Sequence, residues 1–533
     1  ITGLQNPLLA SGFFVQNRKT IMWNSHVIGI GLVSLGFFFF ARGIVGKTKG
    51  DAFNPWPTFV LLLIAIVYQL IYPETTFWRR IPHFLTDFGA GMALSSVFLA
   101  MKRFNFKLFL VPGLLSVMIG GGIYLLGVAY DSLLTEDPVD QDNVTQLLVE
   151  LGEDDHIEEA AIQTLLTRHH AIAEQAFPMV DESEDIDLSH YYVIYVPSNH
   201  AHRLLLELEA DTENVDQIDV NHEIGLIEPS QGAFPDEVLA QYSTNDPYFD
   251  QQWYAQSLNY EGVYALLRAH KPAKKARVAI VDTGVDADHE DLANIYDKSG
   301  TDGDYDKHSH GTHCAGLAGA IANNNKGVGS MNWEGEFITI SGYAALDDYG
   351  RGTDLRVARA IIKAAEDGAD VISMSLGGPA FGGKAPKSQS DAIKYARKLG
   401  AIVVVAAGNS NQDAKGFAPA NVPGVICVSA VDPNLRKASF SNTNTSLKMP
   451  IASPGVNILS SVPRSQYQSY NGTSMATPIV AGLVGIMRAL KPSITLEETY
   501  EILVNTGAKG EDAERIGRLI QPVAVVEAVL AAK

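Results

Sequence analysis

Four apolar runs follow one another in the first part of the chain, at 21–45, 56–72, 84–101 and 108–130, each close to the ~20 residues that a helix needs to cross a bilayer. The reading for residues 1–130 is therefore an all-α membrane region of four transmembrane helices. A buried bundle in a soluble protein is the alternative, and the short basic loops between the runs argue against it. Asp87 makes the third run the least apolar. Arg42, Lys47, Lys49, Lys102, Arg103 and Lys107 fall on one side, against Arg18, Lys19, Arg79 and Arg80 on the other; basic loops stay inside, so both chain ends are expected outside. Trp56, Tyr72, Trp78 and Tyr130 stand near span ends, where amphipathic rings anchor a helix. A removable signal peptide fits poorly because further spans follow the first. The chain begins with Ile1, so a processed or truncated start is expected.

Charge divides the chain as sharply as hydropathy does. Residues 1–130 carry 10 Lys/Arg against 3 Asp/Glu, whereas residues 131–235 carry 25 acids against only Arg168 and Arg203. The net charge of -20 belongs mostly to that middle segment. No basic footprint remains for a nucleic acid, so no nucleic-acid partner is expected. Cys314 and Cys427 each lie in an apolar run, where a buried free thiol is the common occupant, and two cysteines build no disulfide framework.

Within 131–238 the periodicity alternates. Leu147, Val149 and Leu151 read as a strand, Ile157, Ala161 and Leu165 as one face of a helix, and Phe177 with Met179 as a short strand. Residues 191–196 (YYVIYV) then give a strand and 201–208 a helix. Ile218, Val220, Ile224 and Leu226 lie on one face of a last strand. This βαββαβ order is the ferredoxin-like α+β arrangement. Residues 229–245 lack a core pattern and read as a linker.

The remainder, 239–533, alternates strand-like runs at 276–283, 335–346, 369–376, 401–407 and 425–431 with helical segments. Such alternation predicts an α/β fold with a parallel sheet flanked by helices, its site beyond the carboxyl ends of the strands. Three motifs fall there. VAIVDTGVDADH (278–289) ends an apolar strand on Asp282, DKHSHGTHCAG (306–316) starts a helix at His310, and NGTSMATP (471–478) starts another near Ser474. A serine hydroxyl needs a base within hydrogen-bond reach, and the base needs a carboxylate to fix its tautomer. A helix start offers unpaired N–H groups to a developing oxyanion.

Over roughly 240–533 the chain resembles the subtilisin-like serine proteases, the subtilase family, in both motifs and their order. That resemblance implies an endopeptidase in which Asp282 orients, His310 acts as base and Ser474 attacks. It makes Asn409, in VVVAAGNSN (403–411), the side-chain donor of the oxyanion hole. SMSLGG (373–378) and GYAALDDYGRG (342–352) resemble the two substrate-channel segments, with Ser375, Leu376, Gly377, Gly350 and Gly352 binding an extended polypeptide as an added strand. Cys314 resembles the buried thiol of the proteinase K-like branch, beside the base and open to mercurials. His313 lacks a second ligand at metal-like spacing and reads as structural. Asp246, Asp291 and Asn324, the last in the loop AIANNNKGVG (320–329), match the family's common structural Ca²⁺ site, and oxygen ligands of this kind suit that ion.

The βαββαβ segment ahead of such a domain resembles the family's propeptide, an internal inhibitor whose tail lies in the substrate channel. Residues 143–228 are expected to act so, with a cut between Pro229 and Asn245. His156, His169, His170, His190, His200, His202 and His222, half of the 14 histidines, sit in this acidic segment; they read first as scattered solvated groups, with protonation below pH ~6.5 that loosens its grip as the alternative. The whole reads as a membrane-tethered, self-processed zymogen, multi-pass, with its protease outside the cytoplasm. Expected partners are polypeptide substrates, the lipid bilayer, its own propeptide-like domain and other membrane proteins. The rival reading is an inactive subtilase fold serving as scaffold or accessory subunit of a membrane complex. Proteolysis inside the membrane is a poor fit, because the spans carry no Ser/His pair or twin aspartates.

Overall fold

The computed structural model describes residues 144–152, 160–226 apart from 182, 184 and 213, 230–232, 243–298 and 303–532. The chain divides into two units, Ile1–Val139 and Asp140–Lys533. The four apolar runs with their flanking charges, His156 and most of the linker lie outside the described residues. Among the described residues one helix, Thr473–Leu490, is long and apolar enough to cross a membrane, but it is 94% buried within the protein and forms part of a core.

The second unit begins with a small domain: β1 (Val144–Leu151), α1 (Ala160–Arg168), β2 (Ile172–Gln175), β3 (Tyr191–Pro197), α2 (Ser198–Ala210) and β4 (Val215–Val220). The strands pair antiparallel in the order β2-β3-β1-β4, the ferredoxin-like arrangement read from the sequence. Successive side chains of a strand point to opposite faces. Leu147, Val149, Leu151, Ile194 and Val196 accordingly pack against Ile162, Leu166, Leu204 and Leu208 of the two helices. Leu148, Tyr191 and Val193 point the other way and join the core of the following domain. The unbroken apolar run Leu147-Leu148-Val149 is thus a strand covered on both faces.

Two sequence expectations shift here. The strand expected around Phe177 and Met179 forms at Ile172–Gln175 instead, and Phe177, followed by a proline that has no N–H for a ladder, is buried in the shared core. The single strand expected through Ile218 and Leu226 ends at Val220. Beyond it Asn221 and His222 contact the next domain, and two short strands follow, β5 (Glu223–Gly225) and β6 (Ser230–Gln231), neither of which pairs with the small domain.

The second domain runs through β7 (Ala276–Asp282), α3 (His310–Gly319), β8 (Ile338–Ala344), β9 (Arg351–Thr353), α4 (Asp354–Glu366), β10 (Val371–Met374), α5 (Lys387–Lys398), β11 (Ile402–Ala406), β12 (Ile426–Val431), β13 (Pro450–Pro454), β14 (Ile458–Val462), β15 (Gln466–Asn471), α6 (Thr473–Leu490) and β16 (Arg518–Leu519). Seven strands form one parallel sheet in the order β16-β13-β12-β11-β10-β7-β8. Val278, Ile280, Ile402 and Val404 face the core that holds α3 and α6. Ala279, Val281, Val403 and Val405 face the core that holds α4 and α5. Burial on both faces explains why these strands read as continuous apolar runs. The chain runs from β7 out to the edge strand β8 and then crosses back to β10 on the other flank of β7. A crevice is expected at the carboxyl end of strands at such a reversal, and Asp282 is the last residue of β7.

Candidate active site

Asp282, His310 and Ser474 arrive on three separate elements and meet in one buried place, with exposures of 0%, 1% and 0%. Asp282 Oδ1 lies 2.7 Å from His310 Nδ1 and also accepts the Thr283 amide at 2.8 Å. The bond to Nδ1 leaves Nε2 as the working nitrogen, and Nε2 is buried with no hydrogen-bond partner among the described residues. Ser474 is the second residue of α6; its Oγ donates to the Ser375 carbonyl at 3.3 Å, while Ser375 Oγ donates to the Ser474 carbonyl at 2.8 Å. Burial opposes an imidazolium at His310, but the neighbouring Asp282 carboxylate outweighs it by charge and hydrogen bond, so the pKa is raised well above the ordinary 6.5.

The loop before His310 is fixed by a residue that the motif reading passed over. Buried Asp306 accepts from Thr283 Oγ1 (3.0 Å), from the amides of His308, Ser309 and Thr312 (2.9 Å each) and from Thr312 Oγ1 (2.7 Å). A carboxylate taking this many donors sets the first turn of α3 and hence the aim of His310. Its signal in the sequence was an acid four residues ahead of the base. His313 is buried and stacked on Tyr470 at 4.5 Å, and its Nε2 lies 3.0 Å from the carbonyls of Ile458 and Gln468. Burial pulls its pKa down to about 3, so the ring is a neutral structural group. Cys314 Sγ sits 3.9 Å from His310 Nδ1, and burial raises its pKa, which keeps it a thiol. Donor atoms of Asp282, His310 and Cys314 lie within 4.8 Å of one another; a metal there would break the Asp282–His310 bond.

Asn409 stands beside the start of α6. Its Oδ1 accepts the amide and the hydroxyl of Thr473, each at 2.9 Å, which turns Nδ2 toward Gly472. A Cβ at 472 would lie 3.2 Å from that Nδ2, so a side chain there would crowd the amide. A side-chain donor and a helix start thus converge beside Ser474.

The channel segments flank a strand of the chain itself. β5 pairs antiparallel with β9, Ile224 opposite Gly352, and the Leu226 amide donates to Gly350 O at 2.8 Å. On the other side the Gly377 amide donates to Gly225 O at 3.4 Å. Leu376, fully buried, and Ser375 continue that side toward Ser474. Four residues past β5, β6 pairs with β15, Gln231 opposite Tyr470 and Ser230 opposite Asn471. The residues on either side of 227–229 therefore straddle the start of α6.

The small domain also seals the N-termini of two helices. Asn221 Oδ1 accepts the Leu355 amide of α4 at 3.0 Å, and Asp219 Oδ2 accepts the Lys387 amide of α5 at 3.2 Å. Lys387 Nζ bridges Glu150 and Asp391 at 2.7 Å each, and Tyr191 OH donates to Asp391 at 3.0 Å. Apart from the i,i+4 pair Lys387–Asp391 these contacts carry no sequence signature, since their partners lie more than a hundred residues apart.

Asp246, Asp291 and Asn324 come together at a second place. Asp246 accepts the amides of Asn323 (2.8 Å) and Asn324 (3.0 Å), and Asp291 takes Asn324 Nδ2 (3.0 Å), the Val328 amide (3.0 Å) and Tyr467 OH (2.9 Å). Both carboxyls are buried, and burial raises both pKa values, with Asp291 adding to the rise at Asp246. Two buried carboxylates close enough to repel beside a polar loop fit a hard cation with oxygen ligands.

Comparison with known proteins agrees with this geometry. The model of the subtilase family (Peptidase_S8) matches residues 273–518. Thermitase of Thermoactinomyces vulgaris is 36% identical over 285 residues, 50% of this chain and 96% of that protein. Subtilisin DY of Bacillus licheniformis is 35% identical over 249 residues, 45% of this chain and 87% of that protein. Fervidolysin of Fervidobacterium pennivorans, described as a keratinolytic enzyme related to subtilisin, shares the fold at a TM-score of 0.59 and 23% identity, over 72% of this chain and 61% of its own. The chain belongs to the subtilase family and is a subtilisin-like serine endopeptidase.

Proposed function

We propose that this enzyme is made as a membrane-tethered zymogen that cuts itself through Asp282, His310 and Ser474. His310 Nε2 takes the Ser474 proton as Oγ attacks the scissile carbonyl, and the imidazolium is held by Asp282. The oxyanion forms against Asn409 Nδ2 and the backbone at the start of α6. The proton passes to the leaving amine, and water then hydrolyses the acyl-enzyme by the reverse proton path. Bound Ca²⁺ at Asp246, Asp291 and Asn324 would neutralise their paired charge and pin the loop, away from the chemistry.

The observation that carries the reading is β5 seated between Gly350–Gly352 and Gly377 while β6 lies on the far side of Ser474. Gly225 faces Gly377 on the side that Ser375 continues toward Ser474, and the Ser375 carbonyl is 3.3 Å from Ser474 Oγ. The cut is thus assigned to residues 227–229, ahead of the linker first expected to hold it. After the cut, the tail stays where a product would sit, as an inhibitor. The tether rests on the four apolar runs, and their loop charges put the protease outside the cytoplasm. The cut then leaves the anchor on the inhibitor fragment.

Intact-mass and N-terminal analysis of the expressed protein beside its Ser474→Ala form tests this. The first is expected as two chains divided at 227–229, the second as one. Uncut but active wild-type protein would remove the zymogen reading, and failure of folded protein to label with a fluorophosphonate would favour a scaffold role instead.

A further inference from the structure

The small domain carries a group of imidazoles that neither inhibition nor catalysis uses. His169, at the end of α1, is 1% exposed, and neither of its ring nitrogens has a hydrogen-bond partner among the described residues. Its Nε2 lies 3.3 Å from Glu207 Oε1 on α2, and Arg168 Nη1 holds the other Glu207 oxygen at 2.7 Å. The His200 ring stands edge-on to His169 at 5.7 Å and to His170 at 5.6 Å, between the two. His170 adopts a left-handed backbone (φ 53°), which places these consecutive histidines on either side of His200.

Isolated imidazoles on a surface explain themselves by solvation. A buried one without a partner does not, because leaving a buried polar group unpaired costs ~1–3 kcal/mol. We propose that His169, His170 and His200, with Glu207 behind them, form a site for a divalent transition-metal cation of the zinc type. Imidazole nitrogen suits Zn²⁺, Cu²⁺ and Ni²⁺. Glu207 against one nitrogen of His169 leaves Nδ1 to face the ion, the carboxylate–histidine–metal relay common to such sites. Three rings around a tetrahedral ion with ~2.0–2.1 Å bonds have centroids ~5 Å apart, so the ion draws the rings in by rotation of exposed His170 toward His169. Arg203, one turn along α2 from His200, opposes a cation and lowers the affinity. Metal at this point ties the end of α1 to α2, the two helices that cover β1, and so firms the domain that carries the inhibitory tail.

Titration of Zn²⁺ against a chromogenic chelator, on tag-free full-length Ser474→Ala chain also carrying Cys314→Ser, tests the site. The second change removes the thiol of the Asp282–His310–Cys314 group as a competing ligand. One equivalent is expected to bind, with a rise in melting temperature that grows with metal concentration. His170→Gln alters an exposed ring and His200→Gln a half-buried one, and each is expected to weaken binding at least tenfold with the unmetallated melting temperature little changed; Glu207→Gln is expected to weaken it ~10-fold through the outer shell. No Zn²⁺ binding by the parent, or the same affinity in the His170→Gln/His200→Gln double variant, would overturn the proposal.

Discussion

Acidification from pH 7 to pH 5 is expected to tighten the grip of the small domain through Asp354. This residue opens α4 with 4% exposure. Its Oδ2 lies 3.3 Å from the His222 amide and 3.6 Å from His222 Nδ1, and its Oδ1 accepts from Gln389 Nε2 at 2.7 Å. Burial raises its pKa to about 6 against the opposing pull of His222, and Asp219 adds to the rise. Without the tail the carboxyl returns toward the ordinary ~3.9. A carboxyl whose pKa is raised by association holds its proton more tightly in the associated state. Association therefore gains as the pH falls through about 6, and the gain is absent well above it. Between pH 7 and pH 5 this linkage amounts to ~1.3 kcal/mol, or ~9-fold in the dissociation constant. The self-cut complex, diluted and followed by native mass spectrometry at pH 7, 6 and 5, reports the fraction separated into two chains. Asp354→Asn should flatten the dependence. Easier separation at pH 5, followed equally by Asp354→Asn, would refute this account and favour the alternative that protonated histidines loosen the domain.

Three further outcomes are expected. Asn409→Ala should lower kcat ~100- to 1000-fold with KM little changed, a range established on subtilisin itself, and an unchanged kcat would remove Asn409 from the oxyanion hole. The acid limb of kcat/KM should lie above pH 6.5, because His310 must be neutral to act and Asp282 raises its pKa; a limb below that value would show burial winning over the carboxylate. Chelation of calcium should lower the melting temperature by ~5–10 °C where the ion had been present at ~100 times its Kd, a contribution of ~2.7 kcal/mol, and Asp291→Asn should abolish the difference, as differential scanning calorimetry would show.

What the sequence made legible follows from range. Asp282, His310 and Ser474 each end a strand or start a helix inside a local pattern, so neighbouring residues announce them, and the two-face burial of β7, β10, β11 and β12 writes continuous apolar runs. β13 and β16, the outer strands on one side, were not read because Pro450–Pro454 and the two-residue Arg518–Leu519 lack such runs. The division of the expected 218–226 strand was equally hidden. Alternation continues in phase through Ile218, Val220 and Ile224, but the last belongs to a different sheet, chosen by Asn221 and His222 meeting α4. Pairing between domains is set by surfaces far apart in sequence, and one-dimensional periodicity holds no record of them.

The shared core also bears on what the cut accomplishes. Breaking one peptide bond at 227–229 leaves the contacts described above in place: β5 keeps its pairing with β9, Asn221 and Asp219 keep the ends of α4 and α5, and Leu148, Phe177, Tyr191 and Val193 stay buried. In the proposed zymogen, proteolysis and release would therefore be separate events. The face that carries Leu148, Tyr191 and Val193 is covered in part by Phe177, Val180 and Leu188 of the same domain and otherwise by the protease, since α1 and α2 occupy the other side of the sheet. A domain this small has little core to spare, so departure from the protease exposes apolar strand to water and favours unfolding. An unfolded acidic fragment is itself an extended polypeptide, the form that the vacated channel between Gly350–Gly352 and Gly377 accepts. Destruction of the first released fragments by freed protease would make activation of the proposed zymogen self-accelerating.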